Sequence, residues 1–229
     1  MRYECEQVEL KRKDDGTDLY LTKFWCPASW QDKNILMVHG LTYTQHVFDI
    51  KYKDYSVCEY FAKNGYTVWR LDLSGYGKSG KYEDGWKVTT QHAAEDEIYA
   101  LEKICELQGV EKLDLLGWSW GTMTTSKVAS QRPDLLKKVV WLGPCFGGAF
   151  EATPVTELHG MWVDHTYAQD GGHGRPNGGA KEIMEIGDGW LIDTKAVKLL
   201  HLHGAGHAMY LEKDYYQTTR EAILKFISE

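Results

Sequence analysis

Short apolar runs alternate with amphipathic stretches along most of the chain. Glu4–Leu10 and Leu19–Trp25 read as two strands joined at Asp14-Asp15-Gly16, a turn signal, and therefore as an antiparallel edge hairpin. Residues 34–40, Asn-Ile-Leu-Met-Val-His-Gly, form a short apolar strand ended by glycine. Over Asp54–Lys63 the apolar residues Val57, Cys58, Phe61 and Ala62 recur at helical spacing, and Asn64-Gly65 is a stop signal. Thr67–Leu73 reads as a second buried strand. A long amphipathic helix is predicted from about Thr89 to Gln108, with Ala94, Ile98, Leu101, Ile104 and Cys105 on one stripe and Gly109 closing it. Leu113–Leu116 is the next strand, followed by a helix to about Gln131, a break at Pro133 and a strand over Val139–Leu142. This alternation predicts an α/β fold: a mainly parallel sheet covered by helices on both faces.

The periodicity is lost after Leu142. Cys145–Ala180 carries eight glycines and no clear period, which reads as a loop-rich insertion or lid. Core-like pattern resumes at Val197–Leu202, runs into His203-Gly204-Ala205-Gly206-His207, and ends in a helix over roughly Asp214–Ile227. The expected organisation is a core domain in two parts, 1–144 and 194–229, interrupted by an insert over 145–193.

Composition changes this picture little but removes several function classes. The 229 residues are 43% hydrophobic and 26% charged, enough for a sizeable core. A net charge of −7, with both signs interspersed, leaves no basic stripe for nucleic acid and no polybasic segment for an anionic membrane. Five scattered cysteines (Cys5, Cys26, Cys58, Cys105, Cys145), without C-x-x-C spacing, suggest free thiols in a reducing cytoplasm. The first residues lack the apolar core of a secretory signal, and no apolar run approaches membrane-spanning length.

The candidate chemistry centres on Gly117-Trp118-Ser119-Trp120-Gly121. A strand leads into it and a helix-compatible stretch leaves it, the context of a nucleophile elbow. A serine at so sharp a turn stands at the carboxyl edge of the sheet above a helix N-terminus, where backbone N–H groups face a developing oxyanion. A serine hydroxyl needs a base, and His207, in a glycine-flanked loop after a strand, is the candidate. Gly75-Tyr76-Gly77-Lys78-Ser79-Gly80 formally matches a dinucleotide fingerprint. The residues after it begin no convincing helix, so the phosphate cradle is not expected. His201 and His203 share a strand face but have no evident third ligand, which argues against a metal pair.

Taken together, His39-Gly40-Leu41-Thr42, the Asp72–Gly80 segment, the Ser119 elbow and Gly204-Ala205-Gly206-His207 make the chain resemble an α/β-hydrolase of the serine-esterase type. The resemblance implies Ser119 as nucleophile, His207 as base, and the Leu41 and Trp120 N–H groups as the oxyanion hole. It also implies that Asp72 fixes the turn after its strand, with His39 bracing its own loop rather than reacting. No cofactor or metal is expected.

The third member of the triad departs from the family pattern. In Gly187-Asp188-Gly189-Trp190, Trp190 stands where the usual aspartate would. Asp188 ranks first as the acid, with Asp193, Asp164 and Glu151 behind it. The short span between Asp193 and His207 leaves open whether the sheet lacks the usual acid-bearing strand, in which case a homodimer is expected to cover the exposed edge. Trp118 is a candidate substrate contact, against the alternative that both Trp118 and Trp120 pack in the core. The expected activity is cleavage of a small to medium apolar or aromatic carboxylic ester through an acyl-enzyme. Carbon–carbon bond hydrolysis or acyl transfer on the same fold, and a catalytically impaired ligand- or partner-binding protein, remain alternatives.

Overall fold

The computed structural model describes residues 1–144, 200, 202 and 204–229. Six strands form one sheet in the order β1-β2-β4-β3-β5-β6. The edge hairpin is β1 (Glu4–Lys11) and β2 (Asp18–Trp25), paired antiparallel, and β2 runs antiparallel to β4 (Tyr66–Asp72). The parallel part comprises β4, β3 (Lys33–Val38), β5 (Leu113–Trp118) and β6 (Leu136–Leu142). The expected mainly parallel sheet flanked by helices is thus observed. β4 and β5 are buried at every position, as strands covered on both faces must be.

Alternate residues of these strands feed two separate cores. Leu36, Val38, Trp69, Leu71 and Leu115 pack with helices α2 (Thr90–Gln108) and α3 (Trp120–Gln131). Ile35, Met37, Val68 and Leu116 face the opposite way, against α1 (Val57–Lys63) and α4 (Tyr216–Ser228). α1 starts later than the apolar spacing suggests because Ser56 caps it, its Oγ accepting from Glu59 N at 3.0 Å. β6 starts earlier than predicted. Leu136 pairs with Leu113 despite the two lysines that follow, and one of those, Lys138, donates to the Phe226 carbonyl at 2.6 Å. The insert, the question of a missing acid strand and most of the strand expected over Val197–Leu202 lie outside the described residues; Leu200 and Leu202, which are described, are not in a strand.

Two buried acidic groups distinguish the α2 side. Arg12, 2% exposed, reaches from the hairpin to Asp96 of α2 at 2.5 Å, with further bonds to Asp14, Glu95 and the His92 carbonyl. Asp96 also accepts from Ser74 N (2.7 Å) and Ser74 Oγ (3.0 Å), so this pair ties the hairpin, α2 and the loop after β4 together. Its neighbour Glu97 is fully buried, and among the described residues neither carboxyl oxygen meets hydrogen-bond geometry, Thr124 being the polar side chain that acts on it. Burial therefore pushes the Glu97 pKa well above its ordinary 4.5, with Asp96 adding to the effect. A carboxyl whose pKa is higher folded than unfolded holds its proton more tightly in the native state, so stability falls as pH rises above about 4.5. Glu97→Gln removes this dependence. In urea unfolding, its stability relative to the native sequence is expected to grow between pH 5 and pH 8 by at least about 1 kcal/mol. A difference independent of pH would show that Glu97 is not protonated in the fold.

Candidate active site

β5 ends in Trp118, Ser119 follows, and α3 starts at Trp120. Ser119 has φ 57 and ψ −124, a region that L-residues avoid, and it is held there by Ser119 N donating to Leu142 O at 3.0 Å. The turn is this sharp because its flanking glycines leave room. A Cβ on Gly117 would lie 2.2 Å from Gly121 O, and one on Gly121 would lie 2.7 Å from Val38 O. Strand and helix therefore meet backbone to backbone, which no other residue permits.

The loop after β3 arrives beside Ser119. A Cβ on Gly40 would lie 3.2 Å from Ser119 Oγ, so the Leu41 N–H comes next along the chain from the point nearest the hydroxyl. Gly40–Tyr43 is a turn closed by Tyr43 N donating to Gly40 O at 3.2 Å, with Thr42 at φ 72. Among the described residues no hydrogen bond engages the Leu41 or Trp120 N–H, and Trp120 N is the first of α3, where the helix presents its positive end.

His39 and Asp72 act as the sequence suggests. His39 is fully buried, its Nδ1 2.9 Å from Gly40 O and its Nε2 accepting from Leu73 N at 3.2 Å. A neutral ring with the proton on Nδ1 satisfies both contacts. Asp72 accepts from Gln45 N at 2.7 Å and Lys78 N at 2.9 Å, joining the loop after β3 to the loop after β4. That second loop closes on itself, Gly75 N donating to Gly80 O at 2.8 Å, and the next α-helix begins only at Thr90, so no phosphate cradle exists there.

His207 lies at the same carboxyl edge. A Cβ on Gly143, the residue after β6, would fall 2.9 Å from His207 Nδ1. Gly143 follows Leu142, whose carbonyl receives Ser119 N, so the histidine loop meets the elbow across the end of β6. His207 is exposed, yet the surrounding protein removes enough water from the ring to hold its pKa below the ordinary 6.5. Among the described residues no carboxylate bonds to it. Asp188, Asp193, Asp164 and Glu151 lie outside the described residues, as do His201 and His203. Among the described residues no group of three His, Cys, Asp or Glu side chains is arranged to hold a metal ion.

The two elbow tryptophans point to opposite cores. Trp120 is buried with α2 and α3, its Nε1 donating to Thr90 Oγ1 at 3.1 Å. Trp118, the expected substrate contact, is 3% exposed in the other core, and its Nε1 donates to the His207 carbonyl at 3.0 Å. Among the described residues both side chains are buried. Gly143 and Tyr210, which packs edge-on to Trp118 at 5.4 Å, were not singled out by sequence. A glycine directly after a strand at the carboxyl edge was the available signal for the first.

The family model of the α/β-hydrolase fold matches residues 33–171, more than half of the chain. The chain belongs to the α/β-hydrolase fold family. Among solved structures, potato (Solanum tuberosum) epoxide hydrolase I is similar at 23% identity, covering 72% of this chain and 47% of its own, with a TM-score of 0.52. An epoxide hydrolase from Vigna radiata is similar at 20% identity, 71% and 47% coverage, and a TM-score of 0.51. At this identity the likeness is one of hydrolase fold. The chain spans about half the length of these proteins. No helix among its described residues is long and apolar enough to cross a membrane.

Proposed function

We propose that this α/β-hydrolase is a serine hydrolase of small to medium apolar or aromatic carboxylic esters. Ser119 Oγ attacks the ester carbonyl while His207 takes its proton. The Leu41 and Trp120 N–H groups receive the oxyanion, and the alcohol leaves with the proton from His207. Water, deprotonated by the same imidazole, then releases the acid from the acyl-serine. Asp188 is the first choice to orient His207, ahead of Asp193, Asp164 and Glu151. The observation that carries this reading is the backbone of Ser119, strained to φ 57 at a helix N-terminus with the Gly40 loop against its hydroxyl.

The similar solved structures are epoxide hydrolases, but a serine at the elbow argues for acyl chemistry. Opening an epoxide with a hydroxyl would leave an ether on the enzyme, which water does not cleave by carbonyl addition. An acyl-serine is an ester and is cleaved that way.

A fluorophosphonate probe tests the reading. One equivalent is expected on Ser119, with labelling much reduced in His207→Ala. Because the His207 pKa lies below 6.5 and the neutral ring is the base, the rate should rise with pH to a plateau, with its midpoint under 6.5. A protein that neither labels nor turns over short p-nitrophenyl esters would be a binding member of the family, the reading that fits a His207 without an orienting acid.

A further inference from the structure

We propose that Trp118 is a positioning residue whose indole N–H fixes the His207 loop, and whose ring fixes the Tyr43 turn, against the nucleophile strand. This rests on the serine-hydrolase reading above. Sequence reasoning offered Trp118 only as a substrate wall or as core filling, and neither role needs its nitrogen.

The geometry is specific. Trp118 is the last residue of β5, so its side chain is anchored by the same strand that sets Ser119. Its Nε1 donates to His207 O at 3.0 Å, and its ring lies 5.7 Å from the imidazole at an interplanar angle of 38°. Tyr43 meets the ring edge-on at 5.0 Å, and Tyr210 does so at 5.4 Å from the other loop. One buried side chain therefore touches the turn that follows Leu41 and the loop that carries His207. Gly206 N donating to Glu212 Oε2 at 3.0 Å and Ala205 N to Leu202 O at 3.1 Å shape the His207 loop, and buried Tyr210 seats it on the core beside Phe48 at 5.9 Å. The indole bond adds a hold on the base itself, because it grips the His207 backbone. A proton acceptor displaced by even half an ångström from its productive position loses much of its effect. Tyrosine or phenylalanine would fill a similar volume, but neither carries a donor at the position of the indole nitrogen.

W118F separates donor from bulk. The expected result is a folded protein with an unfolding midpoint near that of the native sequence. Its kcat for a short p-nitrophenyl ester and its fluorophosphonate labelling rate fall by about tenfold, the worth of one hydrogen bond, while KM stays close to its original value. In the same variant the His207 ring resonances, followed by NMR, titrate with a midpoint moved toward that of free histidine, because a released loop rehydrates the ring. The other titratable groups on the Trp118 ring among the described residues are Tyr43 and Tyr210. Burial pushes the Tyr210 phenol upward, out of that pH range. Unchanged kcat together with an unchanged His207 titration in folded W118F overturns the proposal. Should the native protein fail to label at Ser119, the hydrolase reading falls, and the titration alone still decides the positioning role. Should W118F not fold, the native indole proton is read instead. A bond to His207 makes its resonance follow the His207 titration, with the dependence lost in H207A, and an indole proton indifferent to that titration overturns the proposal.

Discussion

Ser119→Ala is expected to lower the turnover of short p-nitrophenyl esters by a factor on the order of 10⁶, down to what the oxyanion donors and binding alone supply. The loss should come without unfolding. Serine and alanine both carry a Cβ, so the cost of φ 57 is the same for each, and the substitution removes one oxygen from a site only 3% exposed. Ser119→Gly makes the contrasting case. Glycine adopts positive φ without strain, so this variant should be equally inactive yet more stable by about 1 kcal/mol in chemical denaturation. A pair of variants that lose activity alike but differ in stability in this direction identifies the strain at Ser119 as serving the site. Residual activity within tenfold of the native protein in Ser119→Ala would mean that the nucleophile is elsewhere.

Arg12→Leu is expected to cost about 3–5 kcal/mol of folding stability, seen as a lowered denaturation midpoint. Arg12 is 2% exposed and Asp96 is fully buried, so removal of the guanidinium leaves a carboxylate in the interior with only Ser74 to bond to it. Asp96 must then either stay charged without a partner or take up a proton. The loss should therefore be larger at pH 8 than at pH 5, and Arg12→Leu combined with Asp96→Asn should recover much of it. An equal loss at both pH values, measured against the native sequence, would show that the pair is not a clasp. The clasp holds the hairpin and α2 to the loop after β4, and Asp72 links that loop to the one beside Ser119, so turnover is to be read on the folded fraction and a loss beyond the unfolded fraction would show that the clasp also steadies the site.

Most of this architecture was legible in the alternation of apolar runs and amphipathic stretches. Fully buried strands such as β4 and β5 announce themselves as mostly apolar segments even though Arg70 and Asp114 interrupt them, and Gly109 marks the end of α2 because a left-handed cap (φ 64) suits glycine. Boundaries were less legible where tertiary contacts override spacing. Ser56 rather than Asp54 starts α1, and β6 takes in Lys137 and Lys138 because pairing with β5 outweighs their polarity. At the site, the sharp turn at Ser119 and the approach of the Gly40 loop to it could be read from the sequence, since glycine spacing encodes that backbone placement. The direction of the tryptophans could not. Neighbours in a strand alternate faces, but the face that meets the histidine loop depends on contacts between residues 118 and 207, which no local pattern carries. The buried clasp of Arg12 with Asp96 was equally invisible, being a pairing across 84 positions between two residue types usually found in solvent.

The most direct test of the account is to stop the reaction with a short p-nitrophenyl ester at steady state in acid and determine the mass of the peptide spanning residues 113–127. The account predicts that this peptide carries one acyl group on Ser119, that the group vanishes once substrate is exhausted, and that it never forms in Ser119→Ala. Turnover with the peptide unmodified throughout, or with the acyl group on any other residue, would contradict it.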